Sequence, residues 1–416
     1  MPSSLRAERA LDVLNVVLAD VRYGLGPYGA IYLMAEHGWD EASLALAYSF
    51  GGIVGLLSQA PLGAAVDAVR AKRALLAGAV LVVAASCLLI VLVPRFWPVA
   101  AVGIVAALAG NTLLLTIAAI SLGIVGPTRF ARRAGRNEAL FHTGNACVNL
   151  VILATAPLFG LAAVFWALAA TVLASVAAVL AIPAAAIDYA VARGLPPDAA
   201  THGLRPSALG VLLASRPLLA FAGCGAVFHL ANASLLALVV QRATRADPDG
   251  AVAFAAACMI TAQLAMVATA ALAAARADAW GRRPFFLVAF AAVVLRAVLN
   301  ALSDSPVWTV SAQLLDGVGV GVFGALFPVV VADLTRGSGR FNAAQGSVGT
   351  VHSVGGLLSG LIANSVVVWA SYSTAFLLLA TIAALGGTLF WLVMPETRGC
   401  GAGGLSQSAT DAPLKG

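Results

Sequence analysis

Residues 74–93 read ALLAGAVLVVAASCLLIVLV, twenty positions without a charge, bounded by Lys72-Arg73 on one side and Pro94-Arg95 on the other. A helix needs about 20 consecutive apolar residues to cross the hydrocarbon core of a bilayer. In lipid every backbone N–H and C=O must be paired within the segment, so an isolated run of this kind is helical. The pattern recurs at 13–34, 42–66, 99–125, 137–158 and 161–183, then at 217–240, 251–275, 285–302, 307–332, 342–368 and 374–394. With 74–93 these make twelve spans. Composition agrees: the 416 residues are 61% hydrophobic and 10% charged, with mean hydropathy +0.96. The chain reads as an all-α membrane protein, with little length left for a sizeable soluble domain.

A formal charge of +6 suggests a nucleic-acid surface until the charges are placed. With the N-terminus taken as cytoplasmic, nineteen of the 24 Lys and Arg fall in cytoplasmic segments. Three face outside (Arg95, Arg242, Arg245) and two lie within spans (Arg22, Arg296). Basic residues concentrate in cytoplasmic loops, so both termini are expected inside and no nucleic-acid partner is implied. Trp39, Trp97, Trp280, Trp308, Trp369 and Trp391 sit near span ends, as an interfacial aromatic belt requires. The first span has no small-x-small cleavage site and reads as a true span. Five cysteines without paired spacing predict neither disulfide nor structural zinc, and no cofactor is expected.

The long polar stretch 184–216 divides the spans six and six. The expected organisation is a first bundle over 1–183, a cytoplasmic linker over 184–216, a second bundle over 217–394 and a cytoplasmic tail over 395–416. The halves echo each other. Leu18-Ala19-Asp20 matches Leu230-Ala231-Asn232, and Asp67 matches Asp278, at nearly constant offset. Arg136-Asn137 has a looser echo in Arg340-Phe341-Asn342. Weak internal symmetry of parallel halves is a mark of duplicated transporters.

Between spans 2 and 3 the chain carries Gly63, Asp67, Arg70, Lys72 and Arg73; between spans 8 and 9 it reads Asp278-Ala-Trp-Gly281-Arg282-Arg283. An aspartate at a helix end can accept hydrogen bonds from basic residues of the next loop or from a facing helix terminus, making a latch that forms in one conformation and breaks in another. The two copies resemble the loop signature G-x-x-x-D-x-x-G-R-R/K of the major facilitator superfamily. The first departs from it at Arg70 and Ala71, and the second has Ala274 in place of the leading glycine. Met394-Pro-Glu-Thr-Arg-Gly399 also resembles a terminal signature of sugar porters in that superfamily. The resemblance spans the whole chain and implies twelve transmembrane helices in two pseudo-symmetric six-helix bundles. It further implies a cavity lined by spans 1, 4, 7 and 10, a small-molecule substrate and a monomer in the bacterial cytoplasmic membrane.

An ionisable group at mid-bilayer costs about 2.5–3.5 kcal/mol on insertion scales, so each one calls for a reason. Asp20 and Arg22 lie about 200° apart on their helix, so they serve different faces; Tyr23 shares the face of Asp20. In span 5, Glu138, His142, Asn145 and Asn149 form a polar stripe at helical spacing. Its counterpart in span 11 runs through Gln345, Gly349, His352, Gly356 and Ser359. His229 and Asn232 in span 7, Asn111 in span 4 and Gln263 in span 8 complete the candidate substrate and proton pathway. Histidine titrates nearest neutral pH, which makes His142, His229 and His352, with Asp20, the candidate proton carriers. Arg296 and Asp316 reach similar heights in a tight hairpin and are expected to pair, with Gln313 nearby. Met259, Met266 and Cys258 are ordinary packing residues, so no metal site is expected.

Lacking G-x-x-x-x-G-K-[ST], the chain is not expected to use ATP. These features point to a secondary transporter, proton-coupled, with Ala156-Pro-Leu-Phe-Gly160 tilting the reading toward export through a likeness to antiporters. An importer or facilitator of a small polar or anionic solute is the alternative. A membrane enzyme is disfavoured by the absence of any H-E-x-x-H zinc helix, and a non-transporting sensor would be expected to carry a signalling domain.

Overall fold

Segments that must satisfy their own backbone in lipid fold as helices, and helices joined by two to five residues pack as antiparallel neighbours. The computed structural model describes residues 3–23, 26–159, 162–197, 208–247 and 250–398, and among these there is helix but no strand. The first half comprises α1 (Ser3–Tyr23), α2 (Gly26–His37), α3 (Glu41–Ala68), α4 (Lys72–Leu92), α5 (Phe96–Val125), α6 (Phe130–Phe159) and α7 (Ala162–Ala181). After a short α8 (Ala208–Leu213), the second half comprises α9 (Arg216–Asn232), α10 (Leu235–Ala246), α11 (Ala251–Trp280) and α12 (Arg283–Leu302). It continues through α13 (Pro306–Leu334), α14 (Phe341–Trp369) and α15 (Tyr372–Val393). Span 1 corresponds to α1 with α2, and span 7 to α9 with α10; the other ten spans are single helices. Nine helices among the described residues are long and apolar enough to cross a membrane by composition. Of the other three spans, α6 begins with Arg132, Arg133, Arg136 and Glu138 in its first turns, which lowers its hydropathy.

Local chemistry sets the helix ends. Asp40, Ser215 and Ser371 cap α3, α9 and α15 by accepting a backbone N–H three residues on. Gly281 closes α11 at φ 91°, a conformation that side chains with a Cβ avoid. The interruption between α9 and α10 is satisfied from outside: the Ser234 N–H donates to Ser359 Oγ of α14 at 3.1 Å. Pro61 and Pro328 lie inside α3 and α13, as transmembrane helices tolerate where neighbours cover the freed backbone.

The first half buries a core of its own, and the core of the second half runs on across the interface to Phe130, Ala131 and Ala134 of α6. The first is aliphatic, built on Leu11, Leu14, Leu18, Leu76, Val80 and Leu113. The second is aromatic: Phe221, Phe228, Phe286, Phe290, Phe323 and Phe390 interlock through edge-to-face, tilted and stacked pairs. The halves meet chiefly along two helix pairs, α3 with α14 and α6 with α11, with α13 also packed against α6. These are equivalent under the duplication, and their closest points confirm the register. A Cβ on Gly346 would overlap the Gln59 carbonyl, and one on Gly135 would come within 2.8 Å of the Ala270 carbonyl. Both members of the second contact stand 211 positions from those of the first. Phe130 and Phe341, the first residues of α6 and α14, share that offset and touch edge to face at 5.9 Å. The echo between Arg136-Asn137 and Arg340-Phe341-Asn342 is therefore out of register. Helix α6 starts seven residues before the apolar run does, because its first turns carry the charge of the membrane boundary.

One face of the molecule, the linker face, carries residues 182–197, the start of α1 and the end of α15; the opposite face is the far face. At the linker face, two 3-10 turns (Ala184–Ala186 and Val191–Arg193) wedge beneath both halves. Asp188 N–H donates to Gly123 O at 3.0 Å, and Gly337 N–H donates to Gly194 O at 2.6 Å.

Candidate functional site

The end of α3 is built to reach across. Asp67 is buried, and its Oδ1 accepts from Asn342 Nδ2 at 2.8 Å while Oδ2 accepts from the Ala343 N–H at 2.8 Å. The carboxylate thus caps the N-terminus of α14 in the other half, where free N–H groups and the helix dipole favour negative charge. Gly63, one turn earlier, lies against the Asn342 carbonyl with no room for a Cβ. Lys72 is buried and donates from Nζ to Val66 O at 2.7 Å and Val69 O at 3.2 Å, capping the C-terminus of α3. Arg73 does the same for α7 by donating to Leu180 O; Arg70 is exposed.

The second copy turns inward on its own half. Arg282 pairs with Asp278 at 3.0 Å and with Asp333 at 3.2 Å. The backbone N–H groups of Arg282 and Arg283 donate to the two oxygens of Glu396, at 2.8 and 3.0 Å. Arg283 donates to the Trp391 carbonyl, and Arg398 to the Ala279 carbonyl. Gly281 also leaves room here for the Glu396 carboxylate, which a Cβ would displace. Of the two partner types open to these aspartates, Asp67 takes the facing helix terminus and Asp278 the arginine of the next loop.

On the α6–α11 flank, His142 is buried with Nδ1 2.6 Å from Gln263 Oε1 and Nε2 3.3 Å from Glu138 Oε1. Glu138 also covers Gly324 of α13. Below it, Asn15, Asn137, Glu138 and Gln345 line a small cavity of about 120 Å³ between the halves. On the α3–α14 flank, Gln59 Nε2 donates to Ser353 Oγ at 2.8 Å. Toward the far face these two helices separate around a crevice of about 850 Å³, lined by Gly52, Gln59, Asn111, Leu114, Ser353 and Leu357 among others. Asn111 Nδ2 is held by Gly55 O at 2.7 Å. Along this flank the two helices touch toward the linker face, at Gly63 and Gly346, and the crevice lies beyond these contacts.

In the second half, Arg296 is fully buried; its Nη1 donates to Asp316 Oδ1 at 2.6 Å and its Nη2 to Gln313 Oε1 at 2.6 Å. Asn232 joins both members, accepting from Arg296 at 3.1 Å and donating to Asp316 at 3.2 Å. His229 and His352 have ring centroids 5.2 Å apart, with His352 buried among Phe221, Phe323 and Phe327. The candidate pathway residues therefore fall into separate groups: His142 with Gln263, Asn111 at the crevice, Asn232 and Gln313 with Arg296 and Asp316, and His229 with His352. Asn145 is half-buried on α6. The side chains of Asp20, Arg22, Tyr23 and Asn149, and those of 156–160, lie outside the described residues. Sequence reasoning missed the charge network of the first half, in which Asp12 binds Arg133 and Arg136, each at 2.8 Å, and Glu8 binds Arg129 at 3.0 Å. The signal was there: acids four apart on one helix, and arginines at 129, 133 and 136 spaced to meet them.

Comparison with known proteins follows the same outline. The sequence profile of the Major Facilitator Superfamily matches residues 13–262 and 225–415. An uncharacterized MFS-type transporter of Mycobacterium tuberculosis, present in strains CDC 1551 / Oshkosh and ATCC 25618 / H37Rv, is 45% identical over 396 residues, covering 94% of each chain. Among solved structures, the proton:xylose symporter XylE bound to 6-bromo-6-deoxy-D-glucose superposes with TM-score 0.72 at 10% identity, covering 95% of this chain and 96% of that one. The transporter FucP in its outward conformation gives 0.70 at 12%, and the human organic anion transporter MFSD10 gives 0.66 at 17%. Each of these two is covered completely by 94% of this chain. The chain is a multi-pass membrane transporter of small solutes, not an enzyme, and it belongs to the Major Facilitator Superfamily.

Proposed function

We propose that the protein is a proton-coupled secondary transporter that works by alternating access and exports its solute. The reading rests on one observation: two symmetry-equivalent interfaces, Gly346 on Gln59 and Gly135 on Ala270, shut the linker face while α3 and α14 part around the 850 Å³ crevice toward the far face. Such contacts form and break as units, because packed interfaces have discrete arrangements. The excess of Lys and Arg at the linker face makes that face cytoplasmic, with both termini inside and the crevice open outward. The protein acts as a monomer, and Asp67 latches the cytoplasmic side in this state.

Inside-out vesicles loaded with purified protein test direction and coupling together. Uptake into them driven by an imposed pH gradient, and abolished when the gradient is collapsed, is the expected result. Movement in the opposite sense identifies an importer of a polar or anionic solute. Transport indifferent to the gradient overturns proton coupling. The solute itself is sought by thermal-shift screening, since a ligand that binds the folded state stabilises it by mass action.

A further inference from the structure

The crevice between α3, α5 and α14 lies at mid-height in the bundle. Gly55, Asn111 and Ser353, which line it, stand near the middle of Glu41–Ala68, Phe96–Val125 and Phe341–Trp369. At 1.5 Å per residue each is about 18–21 Å along its helix from the linker-face end. The volume of about 850 Å³ falls in the range of small-molecule sites, about 300–1,000 Å³.

Among the described residues the crevice holds no charge. Its polar lining is Ser49, Gln59, Asn111 and Ser353, set among glycine, alanine and aliphatic side chains. Helices α3 and α4 keep their charged residues at their ends, Glu41 and Asp67 on one, Lys72 and Arg73 on the other, and α5 and α14 have none. His352 of α14 turns instead into Phe221, Phe323 and Phe327 of the second half.

The amide donors at the crevice are already engaged. Asn111 Nδ2 donates to Gly55 O at 2.7 Å and to Ser58 Oγ at 3.2 Å. Gln59 Nε2 donates to Ser353 Oγ at 2.8 Å, and a Cβ on Gly349 would meet Gln59 Oε1 at 2.5 Å, so that oxygen is packed against α14. A backbone carbonyl can only accept, which fixes the Asn111 amide with its NH2 toward α3. Its Oδ1 accepts from no described residue and is the polar atom that Asn111 has left to offer a ligand.

These features select against two classes of solute. An anion finds neither a cation nor an idle amide N–H among these residues, and a buried charge without a partner is strongly disfavoured. A sugar brings more hydroxyls than the lining can pair, and each one left over is costly. An apolar body with one or two N–H or O–H groups suits both the wall and the Asn111 oxygen.

We propose that the transported solute is an uncharged, largely apolar molecule carrying a hydrogen-bond donor, held in this crevice with Asn111 Oδ1 accepting from it. The inference rests on the transporter reading above and names the substrate class of that site.

The test uses the full chain in lipid nanodiscs, with empty nanodiscs as background, and a matched set of fluorescent probes. Phenylnaphthylamine is uncharged with one N–H, its N-methyl derivative lacks the donor, and anilinonaphthalenesulfonate keeps the N–H and adds an anion. Saturable binding is expected for phenylnaphthylamine and none for the sulfonate. The N-methyl derivative is expected to bind about fivefold more weakly, the effect of one neutral hydrogen bond. D-glucose is expected to displace neither uncharged probe. Asn111→Leu is expected to bring the two uncharged probes to equal affinity; a loss that weakens both alike and keeps their ratio overturns the role of Asn111. Gly52→Leu extends into the crevice, where a Cβ has nothing within 4 Å, and is expected to weaken both about tenfold. Sulfonate binding as tight as that of phenylnaphthylamine, or an uncharged-probe affinity unmoved by Gly52→Leu, overturns the assignment and leaves the transporter reading standing. In proteoliposomes under an imposed pH gradient, phenylnaphthylamine is expected to drive proton movement. Binding as expected without that movement leaves the site standing and overturns proton-coupled transport.

Discussion

Asp67 and Ala343, 276 positions apart, are joined by a 2.8 Å hydrogen bond from the Ala343 N–H to the Asp67 carboxylate. An acid at the end of one bundle thereby serves as the cap of a helix in the other. A helix cap of this kind is worth about 0.5–2 kcal/mol, and losing it acts on one conformation alone if α3 and α14 part when the linker face opens. Asp67→Ala is expected to raise the alkylation rate of a cysteine at half-buried Ala64 by about tenfold, the equivalent of 1.4 kcal/mol. An unchanged rate with a lowered melting temperature would make the contact structural only.

The two glycine contacts make a paired prediction. Overpacking costs about 1–3 kcal/mol where the neighbours cannot move, and the atoms facing Gly346 and Gly135 are backbone carbonyls or alanine. Gly346→Ala and Gly135→Ala should each shift the protein toward the open linker face, measured by the same alkylation. The sites lie on different flanks of one rigid-body motion, so their free-energy effects on opening should add in the double variant. No effect of Gly135→Ala on the alkylation at Ala64 would mean that the flanks open independently.

The spans were legible in the sequence because lipid leaves a chain few choices, and an uninterrupted apolar run such as 74–93 matches α4 to within two residues at either end. The interruption at Ala233–Ser234 was not, because it is satisfied by Ser359, which is 125 positions away. The loop motif located Asp67 and Asp278 but left open which partner each would take, since the helix terminus that Asp67 caps is set by tertiary packing. His142 and Gln263 were legible one at a time as polar residues in apolar helices. Their meeting was not, because it depends on the rotation of two helices from different halves. The pairing of Arg296 and Asp316 was accessible to counting along a hairpin, where a short connection fixes relative height.

That pair predicts a large stability effect. Arg296 is wholly buried with Asp316, Gln313 and Asn232 as partners. Removing one member of a buried ion pair strands the other and costs about 3–5 kcal/mol. Arg296→Met and Asp316→Leu are each expected to lower the melting temperature in detergent sharply, whereas the double variant should recover much of the loss. Two losses that simply add would show that each residue is held by its other partners and that the pair carries no coupling.

The tail strap yields a prediction that separates the two copies of the loop motif. Glu396 accepts the N–H groups of Arg282, which caps α12, and of Arg283, its first residue, and Arg282 pairs with Asp278 and Asp333 of the second half. Hydrogen bonds to a charged group are worth about 1.5–3 kcal/mol each, and less where water competes. Glu396→Ala is therefore expected to destabilise the second half, seen as faster hydrogen exchange at the start of α12 and the end of α11. It should leave the alkylation rate at Ala64 unchanged, because Arg282 and Arg283, whose N–H groups Glu396 accepts, both belong to the second half. If Glu396→Ala instead raises that rate as Asp67→Ala does, the strap is part of the gate, and the asymmetry between the two aspartates is one of geometry and not of role.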